Sequence, residues 1–235
     1  MLVRSHSLTL PFERRPRRVR IHVPHGVEAS PPVLVLFDGQ NTLDDEGSFA
    51  GGWHAHLAIE RLPKTIRRPV LVAIDHGGIH RIRELWKDLD AFLALVVHRA
   101  LPLAEERVGR PFDASARVIG GSSLGGLASL AALARHPGVF AGAMAMSPSA
   151  WFAHERIVSE LSRARLDAPM RVYVDVGLRE SDAMVRSAAH VAGLLARRLD
   201  ASHLMWRPDR RGKHRERDWK RRLPKALRFL FRRSP

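Results

Sequence analysis

One stretch decides the fold of this chain: Arg117-Val118-Ile119-Gly120-Gly121-Ser122-Ser123-Leu124-Gly125-Gly126-Leu127-Ala128-Ser129-Leu130. The apolar residues that end at Ile119 predict a short strand, and apolar residues at helical spacing predict a buried helix over 124–134. Between the two lies Gly121-x-Ser123-x-Gly125, the G-x-S-x-G pattern of a sharp strand-turn-helix corner. Side chains two residues before and after the serine would collide in so tight a turn, which explains the two glycines.

Ser123, at the tip of this corner, is a candidate nucleophile. The turn directs the first amide groups of the following helix toward the position where an oxyanion would develop. The same residues could instead form a plain flexible Gly/Ser turn. The strand before them and the small-residue helix after them favour the nucleophile.

The composition is that of a globular protein. The chain has 235 residues, 45% of them hydrophobic and 27% charged, with no internal repeat. This length predicts one domain over 1–235 with a single large core. The absence of cysteine excludes disulfides and thiolate chemistry and fits a reducing compartment.

The N-terminal twenty residues contain six arginines and no apolar run of signal-peptide length. No segment approaches 18 consecutive apolar residues, so we expect neither a secretion signal nor a membrane span. The expected location is the cytoplasm.

The formal charge of +15 comes almost entirely from arginine, since only five of the 39 basic residues are lysine. The basic residues are spread over most loops, with denser runs at 14–20 and 207–222. Aromatic residues make up only 6% of the chain and do not alternate with these runs, so no stacking surface for bases is indicated. Solvated surface is the favoured interpretation, steering of an anionic ligand comes second, and nucleic-acid binding is least favoured.

Strand and helix patterns alternate from residue 32 to the end. This predicts a doubly wound, mostly parallel α/β sheet with helices on both faces and two antiparallel leading strands. Beside the strand ending at Ile119, the predicted strands are 2–11, 17–23, 33–37, 70–74, 141–146, 171–176 and 203–206. The predicted helices are 53–62, 88–108 with a break at Pro102, 124–134, 154–165, 181–199 (Ser181 as N-cap) and 215–231.

Sites in such sheets form beyond the carboxyl ends of the strands. Five loops qualify in this chain: 38–41, 75–78, 122–124, 177–182 and 208–214. A nucleophilic serine needs a base, and the base needs a carboxylate that orients it, in the chain order Ser, Asp/Glu, His for this type of fold.

Three acids follow Ser123 near a strand end. Asp175 lies inside the predicted strand, whereas Glu180 and Asp182 lie just beyond it and are better placed.

Three histidines follow those acids. His190 falls within a predicted helix and His203 beside a strand, where packing or surface roles are favoured. His214 lies in the loop after the last strand and is the preferred base, with a solvated surface histidine as the alternative.

Five segments share their motifs and order with one known family: 36–41 (Leu-Phe-Asp-Gly-Gln-Asn), 120–126 (Gly-Gly-Ser-Ser-Leu-Gly-Gly), 146–149 (Met-Ser-Pro-Ser), 172–177 with Glu180, and Gly212-x-His214-x-Glu216-x-x-Trp219. Together they resemble the esterase D group of α/β-hydrolases, related to enterochelin esterase, feruloyl esterases and antigen 85 proteins. The resemblance covers about residues 32 to 231.

The resemblance implies an α/β-hydrolase fold with Ser123 as nucleophile, His214 as general base and Glu180 as the carboxylate. Asp182 remains an alternative acid. The family usually has asparagine after the histidine, and Arg215 stands there in this chain, which affects local substrate contacts more than the triad.

The oxyanion hole is expected to comprise the amides of Leu124 and of Gln40, in the turn after the strand 33–37. That turn could also be a plain corner held by Asp38.

Trp53 and Trp151, together with Trp86, follow strands whose ends form the site and are candidates for an acyl or aryl pocket. A core position is the more common place for tryptophan. His54-x-His56 is not expected to bind zinc, because that spacing puts the rings on different helix faces. No cofactor and no metal is predicted.

The sequence therefore predicts a serine hydrolase that cleaves small-molecule esters through an acyl-enzyme. Acyl transfer to another acceptor would use the same first half-reaction. A non-catalytic basic binding protein on a hydrolase scaffold is the third hypothesis. A homo-oligomer is compatible with all three.

Overall fold

The computed structural model describes residues 4–12, 15–48, 50–152, 156–166 and 170–233. Its eight strands are β1 (Arg4–Phe12), β2 (Arg15–Val23), β3 (Val33–Phe37), β4 (Val70–Ile74), β5 (Arg117–Ser122), β6 (Gly142–Met146), β7 (Arg171–Gly177) and β8 (Leu204–Asp209). Its α-helices are α1 (Ala55–Glu60), α2 (Leu89–Leu95), α3 (Leu101–Val108), α4 (Leu124–Arg135), α5 (Arg156–Arg163), α6 (Asp182–Ala196) and α7 (Glu216–Leu230).

All these strands belong to one sheet in the order β1-β2-β4-β3-β5-β6-β7-β8. β1 pairs antiparallel with β2, and β2 pairs antiparallel with β4. From β4 to β8 every neighbouring pair is parallel. The predicted α/β sheet with antiparallel leading strands is confirmed, while one domain over 1–235 stays a prediction.

The central strands are buried on both faces because helices cover both. Alternate residues of β3 face two separate apolar cores, with Val33, Val35 and Phe37 in one and Leu34 and Leu36 in the other. The first core receives α2 to α6, and the second receives α1 and α7. A continuous apolar run in sequence is the signature of such a two-sided strand.

The predicted break at Pro102 takes a different form in the structure. The helix continues, and its hydrogen bonding widens to a π-helical segment at Val96–Ala100 just before α3. Pro102 lies in the first turn of α3, where its missing N–H costs little. The helix predicted over 53–62 is shorter, because it begins only at Ala55 and ends at Glu60.

Two predicted elements reach beyond the described residues, namely the start of the first strand at 2–3 and of the helix at 154–155. The last strand is longer than predicted, since pairing with β7 extends it through a proline to Asp209. In the described segments no helix combines the length and apolar character needed to cross a bilayer.

Candidate active site

Ser123 lies on the sharp corner between β5 and α4, with backbone angles of φ 56° and ψ −121°. A methyl group at Gly121 would come within 2.9 Å of the backbone carbon of Gly125. A methyl group at Gly125 would come within 3.1 Å of a carboxylate oxygen of Asp38. Close approach across the turn therefore explains Gly121 as the sequence predicts, whereas a side chain at Gly125 would press on Asp38 instead, and the serine carries the strained backbone.

His214 and Glu180 lie beside this serine although they are remote along the chain. The Nε2 atom of His214 is 2.9 Å from the Ser123 hydroxyl oxygen, across 91 residues. The Nδ1 atom of His214 is 2.8 Å from a carboxylate oxygen of Glu180. The three predicted side chains thus form one continuous hydrogen-bonded chain, with Glu180 fully buried and His214 about one quarter exposed.

The alternative acids occupy different surroundings. Asp182 begins α6 with a side chain that is 92% exposed and pairs loosely with Arg186. Asp175 is fully buried and accepts hydrogen bonds from the Tyr173 hydroxyl and the Ser147 amide. Burial raises the pKa of Asp175 to about 6, although the guanidinium of Arg222 opposes this.

The alternative histidines are also elsewhere. His190 is exposed on α6, and His203 lies beside Asp200 just before β8. His54 pairs with Asp45, and among the described residues no group of three or more metal-ligating side chains comes together.

Glu180 is held as an anion by its neighbours. Its Oε1 atom accepts hydrogen bonds from the Ser147 hydroxyl at 2.6 Å and from the Gly177 amide at 2.8 Å. Burial alone would raise the pKa of Glu180, but the bonds from His214, Ser147 and Gly177 outweigh it and lower that pKa below its usual range. A charged carboxylate therefore faces the imidazole.

The turn that carries Gln40 packs directly against the serine corner. It is a 3-10 turn at Gly39–Asn41, and it follows β3, the parallel neighbour of β5. Asp38 begins it at a positive φ of 57° and receives two hydrogen bonds of 2.7 Å from Arg81. The close approach of Asp38 to the backbone of Gly125 described above places the turn next to the start of α4, where Leu124 is the first residue.

Glu216 connects the histidine loop to this turn. Its carboxylate accepts a hydrogen bond from the Asn41 side chain at 3.1 Å and another from the Trp53 indole. Burial raises the pKa of Glu216, and the Trp53 hydrogen bond acts in the opposite direction. Glu216, two residues after the candidate base, therefore links the start of α7 to the candidate oxyanion turn.

The two tryptophans predicted for a substrate pocket differ in environment. Trp53 is only 3% exposed and belongs to the core on the α1/α7 face, with its ring 6.3 Å from that of Trp219. Trp151 is 43% exposed in the loop after β6 and contacts the ring of Phe152. Of these two tryptophans, Trp151 is the one whose ring is open to solvent.

Sequence reasoning did not assign roles to several residues of the site. Ser149 places its hydroxyl 3.2 Å from that of Ser123. Trp219 packs the edge or face of its ring against His214, with centroids 4.9 Å apart. Both residues belong to motifs shared with the family, and the position of Trp219 in the first turn of α7, just after the histidine loop, is the signal that sequence reasoning could have used.

The sheet topology, the serine corner and the strand-end loops define an α/β-hydrolase. The model of the family described as "Putative esterase" matches residues 13–230. The chain belongs to this esterase family, which confirms the resemblance seen in the sequence, and it is a hydrolase that acts on esters.

Solved structures with similar folds include three proteins from different organisms. The BES protein from Bacillus cereus is 18% identical, with 97% of this chain and 94% of that chain covered and a TM-score of 0.79. The enterobactin esterase FES from Shigella flexneri is 25% identical, with coverage of 96% and 59% and a TM-score of 0.77. The siderophore hydrolase EstA from Aspergillus nidulans is 18% identical, with coverage of 97% and 93% and a TM-score of 0.71.

This chain spans about three fifths of the enterobactin esterase. A search among curated proteins finds no match.

Proposed function

We propose that this protein hydrolyses carboxylic esters through an acyl-enzyme, with Ser123 as nucleophile, His214 as general base and Glu180 as the carboxylate that orients it. The observation that carries the proposal is the unbroken hydrogen-bonded chain from the Ser123 hydroxyl through the imidazole to the buried Glu180 carboxylate. A serine hydroxyl becomes a competent nucleophile when a positioned base removes its proton, and in this hydrogen-bonded arrangement His214 is that base.

In the first half-reaction Ser123 Oγ attacks the ester carbonyl carbon while its proton passes to His214 Nε2. The tetrahedral intermediate collapses, the bond to the alcohol oxygen breaks, and the imidazolium returns the proton to the departing alcohol. Glu180 keeps Nδ1 protonated and stabilises the imidazolium without taking its proton.

The negative charge on the carbonyl oxygen needs donors that are already in place. The backbone amides of Leu124 and Gln40 are the candidates, because the helix start and the 3-10 turn that carry them pack together. The amino-terminal end of α4 adds a favourable dipole.

In the second half-reaction water attacks the acyl carbon, with His214 again as base. Serine returns as leaving group and the carboxylic acid is released. A different acceptor in place of water would give acyl transfer by the same steps.

The substrate side of the proposal is coarser. The exposed ring of Trp151 is a candidate surface for an apolar or aryl part of a small-molecule ester. The buried Trp53 supports the site indirectly, by donating a hydrogen bond to Glu216. The cytoplasmic location, a homo-oligomer and the absence of nucleic-acid binding stay predictions.

The test is an ester panel that varies acyl length and aryl character, with Ser123→Ala as the key variant. We expect kcat/KM to fall by at least about 10⁴-fold, and a fluorophosphonate probe to label the wild type at Ser123 only. Ser187→Ala is the matched control, since within the described residues its buried hydroxyl donates to the backbone of its own helix, at Met184.

Retained turnover in folded Ser123→Ala would contradict the proposal. Products formed with water and alcohol acceptors in competition would separate hydrolysis from acyl transfer.

A further inference from the structure

Ser147, directly after β6, occupies an unusual position. Its side chain is almost completely buried, and its backbone has a positive φ of 42°. Its amide is anchored twice to Asp175, by the backbone carbonyl and by the carboxylate, each at 3.0 Å. A serine held in the left-handed region costs free energy, so a compensating contact is expected there.

The hydroxyl of Ser147 has three partners, which together determine where its proton points. The indole Nε1 of Trp219 lies at 3.1 Å and the guanidinium NH2 of Arg222 at 2.9 Å. Both groups can only donate, so they occupy the two lone pairs of the hydroxyl oxygen. The single hydroxyl proton must then be donated to the third partner, the Oε1 atom of Glu180 at 2.6 Å.

This direction matters for how the carboxylate is oriented. Oε1 of Glu180 is occupied by the Ser147 hydroxyl and the Gly177 amide, which leaves Oε2 for His214. A carboxylate fixed at one oxygen by two donors loses its freedom to rotate, and the bonds to an ionised group are the strong kind. The imidazole therefore meets an acceptor whose place is fixed before substrate binds.

Helix α7 supplies both donors to Ser147, and it also contacts the base. Trp219 packs against the ring of His214, while Arg222 lies 3.2 Å from the carboxylate of Asp175 and 4.0 Å from that of Glu180. One buried hydroxyl thus connects the acid, the helix that supports the base, and the neighbouring strand end.

We propose that Ser147 is a positioning residue for ester hydrolysis, acting through its hydroxyl on the Glu180 carboxylate. This inference rests on the proposed function. If Ser147 acts only through Glu180, loss of its hydroxyl should affect the reaction only while the Glu180 carboxylate is present. Loss of a residue that only fills space would have the same effect with and without that carboxylate.

The test is a double-mutant cycle between Ser147→Ala and Glu180→Ala, measured with an activated aryl ester. We expect Ser147→Ala alone to lower kcat by about tenfold or more with KM changed less than about twofold, because one charge-assisted hydrogen bond is lost. In the Glu180→Ala background the same substitution should change kcat less than about twofold. Equal losses in the two backgrounds would overturn the inference.

Two further variants keep the result interpretable. Ser147→Gly also deletes the hydroxyl but relieves the positive φ, so it takes the place of Ser147→Ala in the cycle if the alanine variant does not fold. Wild-type activity in Ser147→Gly would contradict a role for the hydroxyl. Ser181→Ala is the matched control, since that hydroxyl caps α6 at Met184 and does not touch the carboxylate.

The failure of this inference is distinguishable from that of the proposed function. If the wild type cleaves no ester and resists the fluorophosphonate probe, the proposed function fails. In that case the NMR chemical shift of the proton on His214 Nδ1 still reports the hydrogen bond to Glu180. This downfield shift should become smaller in Ser147→Ala and not in Ser181→Ala. An unchanged shift in Ser147→Ala would overturn the positioning role.

Discussion

Gly177 is the last residue of β7, and adding one methyl group there should move the base, His214, away from the acid, Glu180. A Cβ placed there would lie 2.4 Å from the backbone carbon and oxygen of Gly212, in the loop that leads to His214. It would also lie 2.8 Å from Oε1 of Glu180. The obstacle is backbone rather than a flexible side chain, so the loop itself must move.

The size of the movement follows from these distances. Ordinary contact begins at 3.4 Å, so Gly177→Ala requires about 1.0 Å of separation between the strand end and the loop. If His214 moves with its loop, the 2.8 Å bond to Glu180 lengthens toward 3.8 Å, beyond hydrogen-bond reach. A displacement of this size in a catalytic group costs on the order of a hundredfold in rate.

The assay is kcat/KM for an aryl ester with Gly177→Ala and, as matched control, Gly193→Ala. A Cβ at Gly193, within α6, would meet only the end of the Arg197 side chain at 3.8 Å. We expect the control to keep wild-type activity and to gain stability of up to about 1 kcal/mol from better helix propensity. Thermal unfolding of both variants shows whether Gly177→Ala is folded at the assay temperature.

Folded Gly177→Ala with wild-type kcat/KM would refute the reasoning. It would mean either that the loop absorbs the overlap without moving the imidazole or that the bond between His214 and Glu180 does not matter for the reaction.

Two other predictions concern stability. Arg81→Ala removes the guanidinium that donates two hydrogen bonds to the buried Asp38 carboxylate. It should lower the free energy of unfolding, measured by urea denaturation, by about 2–4 kcal/mol. A loss below about 0.5 kcal/mol would show that this ion pair does not stabilise the fold. Burial lowers the pKa of His22. Below about pH 6.5 this histidine therefore binds fewer protons in the folded protein than in the unfolded chain, so its contribution to stability should fall as the pH decreases from there. His22→Gln should lose less stability than the wild type between pH 7 and pH 5.5, and an identical loss would assign the effect to other groups.

The sequence predicted the order and type of the elements well because hydrophobic pattern and turn chemistry are local properties. The runs 33–37 and 70–74 coincide with β3 and β4, since a strand buried on both faces must be continuously apolar. Ser181 caps α6 as predicted. The Pro102 prediction was wrong in form, because the neighbouring helix hydrogen bonds could widen into a π-helical segment rather than end.

The candidate site was predicted less completely. Chain order and strand ends selected Ser123 and His214 and left Glu180 and Asp182 both open as the acid, and only the family resemblance pointed to Glu180. The choice between Glu180 and Asp182 depends on which side chain points inward from one short loop, and that direction is set by contacts with Ser147 and Gly177.

What the sequence by itself determined is local: a glycine-flanked serine at a strand-to-helix corner, an α/β alternation, and a small set of acids and histidines at strand ends. Only the tertiary structure decided which of them meet, because hydrogen bonds of 2.8 and 2.9 Å join residues 34 and 91 positions apart. It also decided that a buried hydroxyl and helix α7 support the acid, since no local pattern encodes the partners that a side chain finds across a sheet.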